Sequence, residues 1–260
     1  MRVENMSLRF GDLLVLNQLD LEVAEGEFVC LVGPSGCGKS TLLNVIAGFA
    51  LAGSVEVHGE VWWGDRQIRS HRDWRGELGY VFQRDSLLPW YTLRHNVEIS
   101  LRIRKLPPHE VRARAQDEIA RVGLSGFETH FPHQLSGGMR QRGSLARTLV
   151  YMPKVMLMDE PFGALDAHTR MHLQKELTRL WSQRRVTVLF VTHDLAEAIA
   201  LGQKVAVLTR RPGKVAAVYD VPFDYPRDPL ELQGRREFAM LHADIWSTLA
   251  QEFRLAYGDS

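Results

Sequence analysis

The sequence predicts an α/β fold in which a largely parallel sheet is flanked by helices. Apolar segments of strand length alternate with amphipathic helical segments along the chain, which is typical of parallel sheets. A glycine-rich turn, GPSGCGKST, follows the apolar strand Phe28–Val32 and opens a helix, giving a strand–loop–helix unit. From about residue 85 to 151 the pattern becomes helical, and we expect this segment to be inserted as a subdomain.

Composition limits the class of protein. The chain has 260 residues, 45% apolar and 24% charged, with a net charge of +1, so no basic surface for nucleic acid or an anionic membrane is indicated. The two cysteines, Cys30 and Cys37, are predicted to be reduced thiols of a cytosolic protein. The longest apolar runs are well short of the roughly 18 residues of a membrane span, so we expect a soluble chain, for which any contact with a membrane must go through a partner.

The N-terminal third is predicted to be mainly strands. In LDLEV (Leu19–Val23) apolar and acidic residues alternate, as in a half-buried strand. The run Phe28–Val32 is continuously apolar, as in a buried parallel strand. Helical spacing then sets in with Leu42, Leu43, Ile46 and Phe49.

The rest of the chain continues the alternation. Helices are predicted at the spacing of Val111, Ala115, Ile119 and Val122, after Ser136, and through Leu173, Leu177, Leu180 and Trp181. Strands are predicted at Val155–Met158, Val186–Val191 and Lys204–Leu208.

The C-terminal part carries its own boundary signals. Asp194 is predicted to cap a helix, with Glu197 completing a capping box and Gly202 at the C-cap. YPRDP (Tyr225–Pro229) is predicted to be a short linker. The apolar face of a terminal helix follows, formed by Phe238, Leu241, Ile245, Leu249 and Phe253.

The glycine-rich turn fits the phosphate-loop pattern G-x-x-x-x-G-K-[ST]. Glycines let backbone N–H groups face phosphate oxygens, and the helix N-terminus adds partial positive charge. Lys39 is predicted to contact the β/γ-phosphates and the Ser40 hydroxyl to ligate Mg²⁺. We therefore expect ATP to bind at Gly33, Pro34, Ser35, Gly36, Cys37, Gly38, Lys39, Ser40 and Thr41.

Two adjacent carboxylates end the apolar strand VMLMDE. Such a pair is costly at the end of a buried strand unless it meets a cation or has a chemical task. Asp159 is predicted to hold the Mg²⁺, and Glu160 to act as the general base on an attacking water. A capped turn of Asp-Glu-Pro is the simpler alternative.

Together the motifs resemble the nucleotide-binding subunits of ABC transporters. The phosphate loop is followed in order by YVFQ, LSGGMRQR, VMLMDEP, GALD and VTH. The resemblance implies the P-loop NTPase fold of ABC ATPases, with a RecA-like parallel-sheet core, an N-terminal antiparallel β subdomain and an inserted α-helical subdomain. We expect the core at residues 1–84 and 152–222, the helical subdomain at 85–151 and a short helical tail at 223–260.

The resemblance also implies roles for residues outside the phosphate loop. Gln83 matches the glutamine that senses Mg²⁺ and the lytic water, and His193 matches the switch histidine at the γ-phosphate. Asp166 matches the aspartate that couples two sites across a dimer. The signature residues Ser136, Gly137, Gly138 and Gln141 are implied to contact the ATP held by a second copy of the chain. Phe10 matches the aromatic that stacks on adenine, unless it is simply part of the core.

Further features indicate an importer. Leu87, Leu88 and Trp90 follow Gln83 and are expected to form an exposed apolar cup for a membrane subunit, although Trp90 in the subdomain core is an alternative. The FGALD form is common among importer ATPases of this family. The short tail, RRPGKV followed by YPRDP and one terminal helix, resembles the ATPases for nitrate, sulfonate or taurine import. This implies permease subunits, a solute-binding protein and a position on the cytoplasmic face of the bacterial inner membrane. The alternatives are a thiamine-precursor importer or a soluble ATP-driven clamp on DNA or the ribosome.

One residue departs from the family pattern within the signature helix. Gly143 stands where an apolar residue is more common, at a cost of up to about 1 kcal/mol in helix propensity.

Overall fold

The structure, a computed structural model, describes residues 1–51, 55–83, 86–163 and 165–257. The strands of these ranges are β1 (Arg2–Phe10), β2 (Leu13–Glu22), β3 (Phe28–Val32), β4 (Val55–Trp63), β5 (Arg66–Gln67), β6 (Leu78–Val81), β7 (Val155–Asp159), β8 (Thr187–Val191), β9 (Lys204–Leu208) and β10 (Val215–Asp220). The α-helices are α1 (Lys39–Ile46), α2 (Leu93–Ile103), α3 (Pro108–Arg121), α4 (Gly137–Leu149), α5 (Ala167–Arg184), α6 (Leu195–Leu201), α7 (Pro229–Gln233) and α8 (Arg236–Tyr257).

The larger sheet has the strand order β10-β9-β3-β8-β7-β6. Its strands run parallel from β9 to β6, and β10 is antiparallel at one edge. Every residue of β3 and β8 is buried, because both faces of such a sheet are covered and no side is left to solvent. The predicted α/β architecture with a parallel core is confirmed.

A second, antiparallel sheet contains the N-terminal strands in the order β2-β1-β4-β5. Its inward residues, such as Leu8 and Leu16, share one apolar cluster with Leu42 and Leu43 of α1 and with Leu31 of β3. The two sheets are therefore packed through α1 and the phosphate loop, and the antiparallel sheet covers one face of the parallel one.

Helices α2, α3 and α4 lie between β6 and β7 and have a separate apolar cluster, which includes Leu93, Val97 and Ile119. Leu145 and Leu149 of α4 belong instead to the cluster of the parallel sheet. Helix α4 is thus the element through which the helical segment meets the sheet. The predicted start of this segment, at residues 84 and 85, lies outside the described residues.

The segment predicted to be a linker is instead packed into the protein. Arg227 is only 4% exposed. Its guanidinium donates to the carbonyls of Ile199 (3.0 Å), Gly202 (2.7 Å) and Phe223 (2.7 Å) and lies 3.9 Å from the centre of the Tyr225 ring. A polar, proline-containing composition suggested a loose connection, but one arginine satisfies several helix-end carbonyls and fixes the segment.

The terminal helix α8 packs as predicted. Phe238, Ile245 and Leu249 are buried against the sheet cluster, and Leu241 and Phe253 are packed at its border. In the part of the chain that the structure describes, none of the helices has the length and apolarity needed to cross a membrane.

Candidate functional site

The carboxyl ends of four neighbouring parallel strands bring the predicted site residues together. The phosphate loop follows β3, His193 follows β8, Asp159 and Glu160 end β7, and Gln83 follows β6. Because β3, β8, β7 and β6 are adjacent in the sheet, these residues meet along one edge. Ligands of open α/β sheets bind at this kind of edge.

The phosphate loop has backbone angles that require glycine. Gly36 and Gly38 have φ angles of 76° and 104°, in the left-handed region that other residues rarely occupy. A Cβ on Gly38 would also lie 2.7 Å from Leu16 and 2.9 Å from Val15. The loop is therefore held tightly against β2, with Ser35 and Gly36 exposed.

The Lys39 side chain lies inside the phosphate loop and binds its backbone. Its ammonium donates to the carbonyl of Gly33 at 2.7 Å and to that of Pro34 at 2.9 Å, and the side chain is buried. Cys37 is also buried, and burial raises the pKa of its thiol although Lys39 opposes this. Both cysteines of the chain are free thiols. The positive charge at the centre of the loop is already oriented by backbone carbonyls.

Ser40 and Asp159 form the second part of the site. The Ser40 hydroxyl donates to Oδ1 of Asp159 at 2.9 Å, which joins the first turn of α1 to the end of β7. Burial raises the pKa of the Asp159 carboxyl, the Ser40 hydrogen bond opposes this, and the neighbouring Glu160 adds to the rise. A hydroxyl and a carboxylate in contact are oxygen ligands of the kind that Mg²⁺ prefers.

Glu160 is the point where three strand ends meet. Its Oε2 atom accepts hydrogen bonds from Nε2 of Gln83 (3.2 Å) and from Nδ1 of His193 (3.1 Å). The Glu160 backbone has a φ of 42°, and its N–H donates to the Val191 carbonyl at 2.9 Å. This left-handed turn directs the carboxylate away from β7 toward the other two side chains.

The turn before α4 has the geometry of a helix N-terminus that is open to a ligand. Ser136 is the N-cap, its hydroxyl accepts from the N–H of Met139 at 3.3 Å, and both Ser136 and Gly137 are exposed. A Cβ on Gly138 would lie 2.6 Å from Thr169 of α5. The second glycine is thus required by packing against α5.

Gln141 does not share this exposed position. It is only 6% exposed, and its Nε2 atom has no hydrogen-bond partner among the described residues. It lines a small cavity with Val81, Leu145 and Met158, because five residues after Ser136 the helix has turned its face inward. The expectation that Gln141 is presented to a second subunit is wrong for this structure.

Asp166 and Phe10 lie at the ends of secondary-structure elements. Asp166 caps α5 by accepting from the N–H of Thr169 at 3.0 Å, and this hydrogen bond lowers the pKa of its carboxyl. Phe10 ends β1 opposite Leu13 and Val55 and packs at the border of the second apolar cluster. The coupling role of Asp166 and the adenine contact of Phe10 remain predictions. Ala164 of the GALD motif lies outside the described residues.

The residues predicted to meet a membrane subunit differ in exposure. Trp90 is 67% exposed, which excludes the alternative that it lies in the core. Leu87 is only 6% exposed and belongs to the cluster of α2–α4, so the expectation of an exposed Leu87 is wrong. Leu88 is partly buried.

Sequence reasoning missed Asn96, which organises this surface. Its amide donates to the carbonyls of Leu88 (3.1 Å) and Tyr91 (3.0 Å) and accepts from the N–H of Leu88 (2.7 Å). Asn96 is fully buried on α2. A polar residue next to the apolar positions Leu93 and Val97 was the signal available in the sequence, because a buried amide needs partners.

Comparison with known proteins decides the family. Residues 16–163 match the family model described as ABC transporter. The chain belongs to the ABC transporter family.

Individual relatives agree with this assignment. A putative ATP-binding protein of Brucella abortus is 41% identical over 242 residues, covering 93% of this chain and 90% of that protein. The aliphatic sulfonates import ATP-binding protein SsuB of Bacillus subtilis is 42% identical over 216 residues, covering 82% of this chain and 80% of SsuB. A dimeric ATP-binding cassette in a post-hydrolysis state with ADP and phosphate has a TM-score of 0.74 and 30% identity, covering 86% of this chain and 99% of the cassette.

The chain is accordingly an ABC transporter ATPase subunit, which binds and hydrolyses ATP. Its solved relatives are ABC ATPase cassettes, and the two sheets and the helical segment described above agree with that fold.

Proposed function

We propose that this ABC ATPase powers the import of a small anionic solute, of the sulfonate, taurine or nitrate type, through separate permease subunits. The observation that carries the proposal is the 42% identity with SsuB over most of both chains. On this proposal the chain lies peripherally on the cytoplasmic face of the bacterial inner membrane, and a solute-binding protein delivers the solute to the permease.

A growth experiment tests the solute class. Deletion of the gene should abolish growth on an alkanesulfonate or taurine as the sole sulfur source, or on nitrate as the sole nitrogen source, while growth on sulfate and ammonium continues. The wild-type gene should restore growth, and a copy with Lys39→Ala should not. Unimpaired growth on all three solutes would contradict the proposal.

ATP and Mg²⁺ fit the residues at the strand ends. We infer that Ser40 and Asp159 would hold Mg²⁺, with Gln83 nearby. Among the residues that the structure describes, no group of three Asp, Glu, His or Cys side chains could hold a metal, so nucleotide phosphates and water would supply the remaining ligands. When bound, Mg²⁺ neutralises negative charge on the phosphate oxygens.

The residues of the chain then have separate tasks. Lys39 exchanges its contacts with the Gly33 and Pro34 carbonyls for phosphate oxygens. Glu160 accepts the proton of the attacking water as general base. His193 and Gln83 hold the carboxylate from two sides, at 3.1 and 3.2 Å, and this preorientation limits the entropy lost in the reaction.

We further propose that the Ser136 turn binds the ATP of a second copy. An exposed helix N-terminus with Ser136 and Gly137 at the surface is suited to phosphate. The phosphate loop at Lys39 already uses the N-terminus of α1, so the nucleotide bound there does not need the Ser136 helix of the same chain. The 30%-identical cassette in its post-hydrolysis state is dimeric. Two chains in head-to-tail arrangement would then enclose two nucleotides.

Mixing two inactive variants tests this arrangement. Ser136→Arg and Lys39→Ala should each abolish hydrolysis, but a mixed dimer keeps one site with an intact Lys39 and an intact Ser136. Random mixing should restore about a quarter of the wild-type rate, since half of the dimers are mixed and each has one working site. Ser247→Arg, at an exposed serine of α8, is the matched control and should retain activity. No recovered activity in the mixture would contradict the two-chain site.

A further inference from the structure

The predicted capping box at the start of α6 is only half formed. Oδ1 of Asp194 accepts from the N–H of Glu197 at 3.1 Å, as expected. The Glu197 side chain, however, does not return to the N–H of Asp194. That N–H donates instead to Oγ1 of Thr192 at 3.0 Å. The prediction of a complete capping box is therefore wrong, and the Glu197 carboxylate has other partners.

These partners lie on two different elements. Oε2 of Glu197 accepts from the Thr192 hydroxyl at 2.5 Å, and Oε1 accepts from Nε2 of Gln174, on α5, at 2.8 Å. All three residues are at most 5% exposed. Burial raises the pKa of the Glu197 carboxyl, while the hydrogen bonds from Thr192 and Gln174 oppose this. Burying a carboxyl group whose partners are neutral donors lowers the free energy of unfolding. Its presence here argues for a specific task.

The turn that these bonds hold is the one that carries His193. Thr192 precedes His193 and Asp194 follows it, and both are fixed by the network. Arg170 of α5 adds a hydrogen bond to the carbonyl of Leu165 (3.0 Å) and an ion pair with Asp194 (3.5 Å). Arg170 and Gln174 are four residues apart and so lie on one face of α5. Helix α5 thus contacts the His193 turn directly through Arg170 and indirectly through Gln174, which binds Glu197.

Almost no space separates this network from the Glu160–His193 pair. A cavity of about 10 Å³ lies between them, lined by Glu160, His193, Arg170 and Glu197 among others. This is close to the volume that one water molecule needs. Because Thr192 precedes His193 in the chain, a displacement of the Thr192–Glu197 pair would move the backbone of His193, whose imidazole contacts Glu160.

We propose that Glu197 is a positioning residue, which fixes the Thr192–His193–Asp194 turn to α5 and thereby places the imidazole against Glu160. The inference rests on the proposed roles of Glu160 and His193 in hydrolysis. It assigns a function to an internal carboxylate that contacts neither the phosphate loop nor Glu160 itself. Because Asp166 caps α5, the same network joins the start of α5 to the histidine within one chain.

The hydroxyl of Thr192 gives the cleanest test, because valine has nearly the same shape. Thr192→Val removes the donor to Glu197 and the acceptor for the N–H of Asp194. We expect kcat for ATP to fall about tenfold with little change in KM, since small misplacements of a catalytic group cost up to about 100-fold. Thr192→Ser keeps the hydroxyl and should recover most of the rate. Thr178→Val, a buried threonine of α5 that bonds to the Lys175 and Arg227 carbonyls, is the matched control.

A double-mutant cycle separates positioning from general destabilisation. In a His193→Ala background, single-turnover hydrolysis of labelled ATP should fall less than about twofold when Thr192→Val is added, because the residue to be positioned is gone. Two results would overturn the inference. One is an equal fold loss of hydrolysis rate from Thr192→Val in the wild-type and His193→Ala backgrounds, and the other is a loss with Thr192→Ser as large as with Thr192→Val. If His193→Ala alone retains the wild-type rate, the proposed role of His193 fails instead, so the two failures are distinguishable.

Discussion

At the scale of single residues, the site depends on one carboxylate oxygen. Oε2 of Glu160 accepts hydrogen bonds from Gln83 and His193, and these two bonds fix the orientation of the carboxylate. Fixed orientation favours proton transfer because no side-chain reorganisation is needed in the transition state. The Gln83 amide and the His193 imidazole thus donate to the same oxygen atom, from the ends of β6 and β8.

Replacing Glu160 by glutamine tests its role as the base. Glu160→Gln keeps the size of the side chain but removes its ability to accept the proton of water. We expect hydrolysis to fall about 10²–10⁴-fold, with ATP affinity within a few-fold of wild type. Phosphate release and binding of a fluorescent ATP analogue measure the two quantities.

A buried carboxylate elsewhere provides the control for that change. Glu98 of α2 is buried and paired with Arg102, away from the strand ends, and Glu98→Gln should hydrolyse ATP normally. Hydrolysis by Glu160→Gln at a near-normal rate would remove Glu160 from its proposed role.

At the scale of elements, the close approach of α4 and α2 explains an unusual glycine. A Cβ on Gly143 would lie 2.7 Å from Cδ1 of Leu93 and 3.3 Å from Cδ1 of Leu87. Both leucines are buried, so neither can move away freely. The sequence indicated only the cost in helix propensity, whereas the structure indicates that a small residue is needed where the helices cross.

Gly143→Ala is therefore expected to reverse the usual effect of such a change. In an open helix, alanine would stabilise by up to about 1 kcal/mol. Here overpacking should lower the free energy of unfolding by about 1–3 kcal/mol, as measured by urea denaturation. At Gly234 the nearest atom to a new Cβ is 3.5 Å away, so Gly234→Ala should be nearly neutral. Equal effects at the two sites would contradict the packing argument.

Local patterns predicted most elements and the order of the site residues. Strands β3, β7 and β8 are largely continuous apolar runs. The phosphate loop and the Asp159–Glu160 pair could therefore be predicted at the ends of β3 and β7, whereas the role of His193 came from the family resemblance. Other features depend on contacts distant in sequence. The burial of Leu87 depends on α4, and Glu197 turns from its own helix to Gln174, 23 residues away. Sequence spacing around either residue carries no signal of these partners.

At the scale of the whole molecule, Trp90 is a large apolar side chain left in solvent. It contacts Tyr91 edge-on, and buried Asn96 fixes the backbone that carries both residues. Trp246 of α8 is similarly exposed, at 51%, but lies on the C-terminal helix. Tryptophan is enriched among the residues that dominate binding energy at protein–protein interfaces.

Trp90→Ala is expected to weaken binding to the permease subunits without changing the ATPase itself. Loss of a central tryptophan at an interface costs about 2 kcal/mol or more, so recovery of the permease with the tagged ATPase should fall sharply. Basal hydrolysis and the unfolding temperature should stay close to wild type. Trp246→Ala is the matched control and should co-purify normally. Full recovery of the permease with Trp90→Ala would place the contact elsewhere.

Arg227 links the C-terminal segment to the turn that carries His193. Its guanidinium donates hydrogen bonds to carbonyls at the C-terminal end of α6, and the N-terminal end of α6 lies two residues after His193. A helix of seven residues is a rigid rod about 10 Å long. A partner protein that binds the C-terminal helices would therefore act on one end of α6, and a shift of that end would move the turn that carries His193.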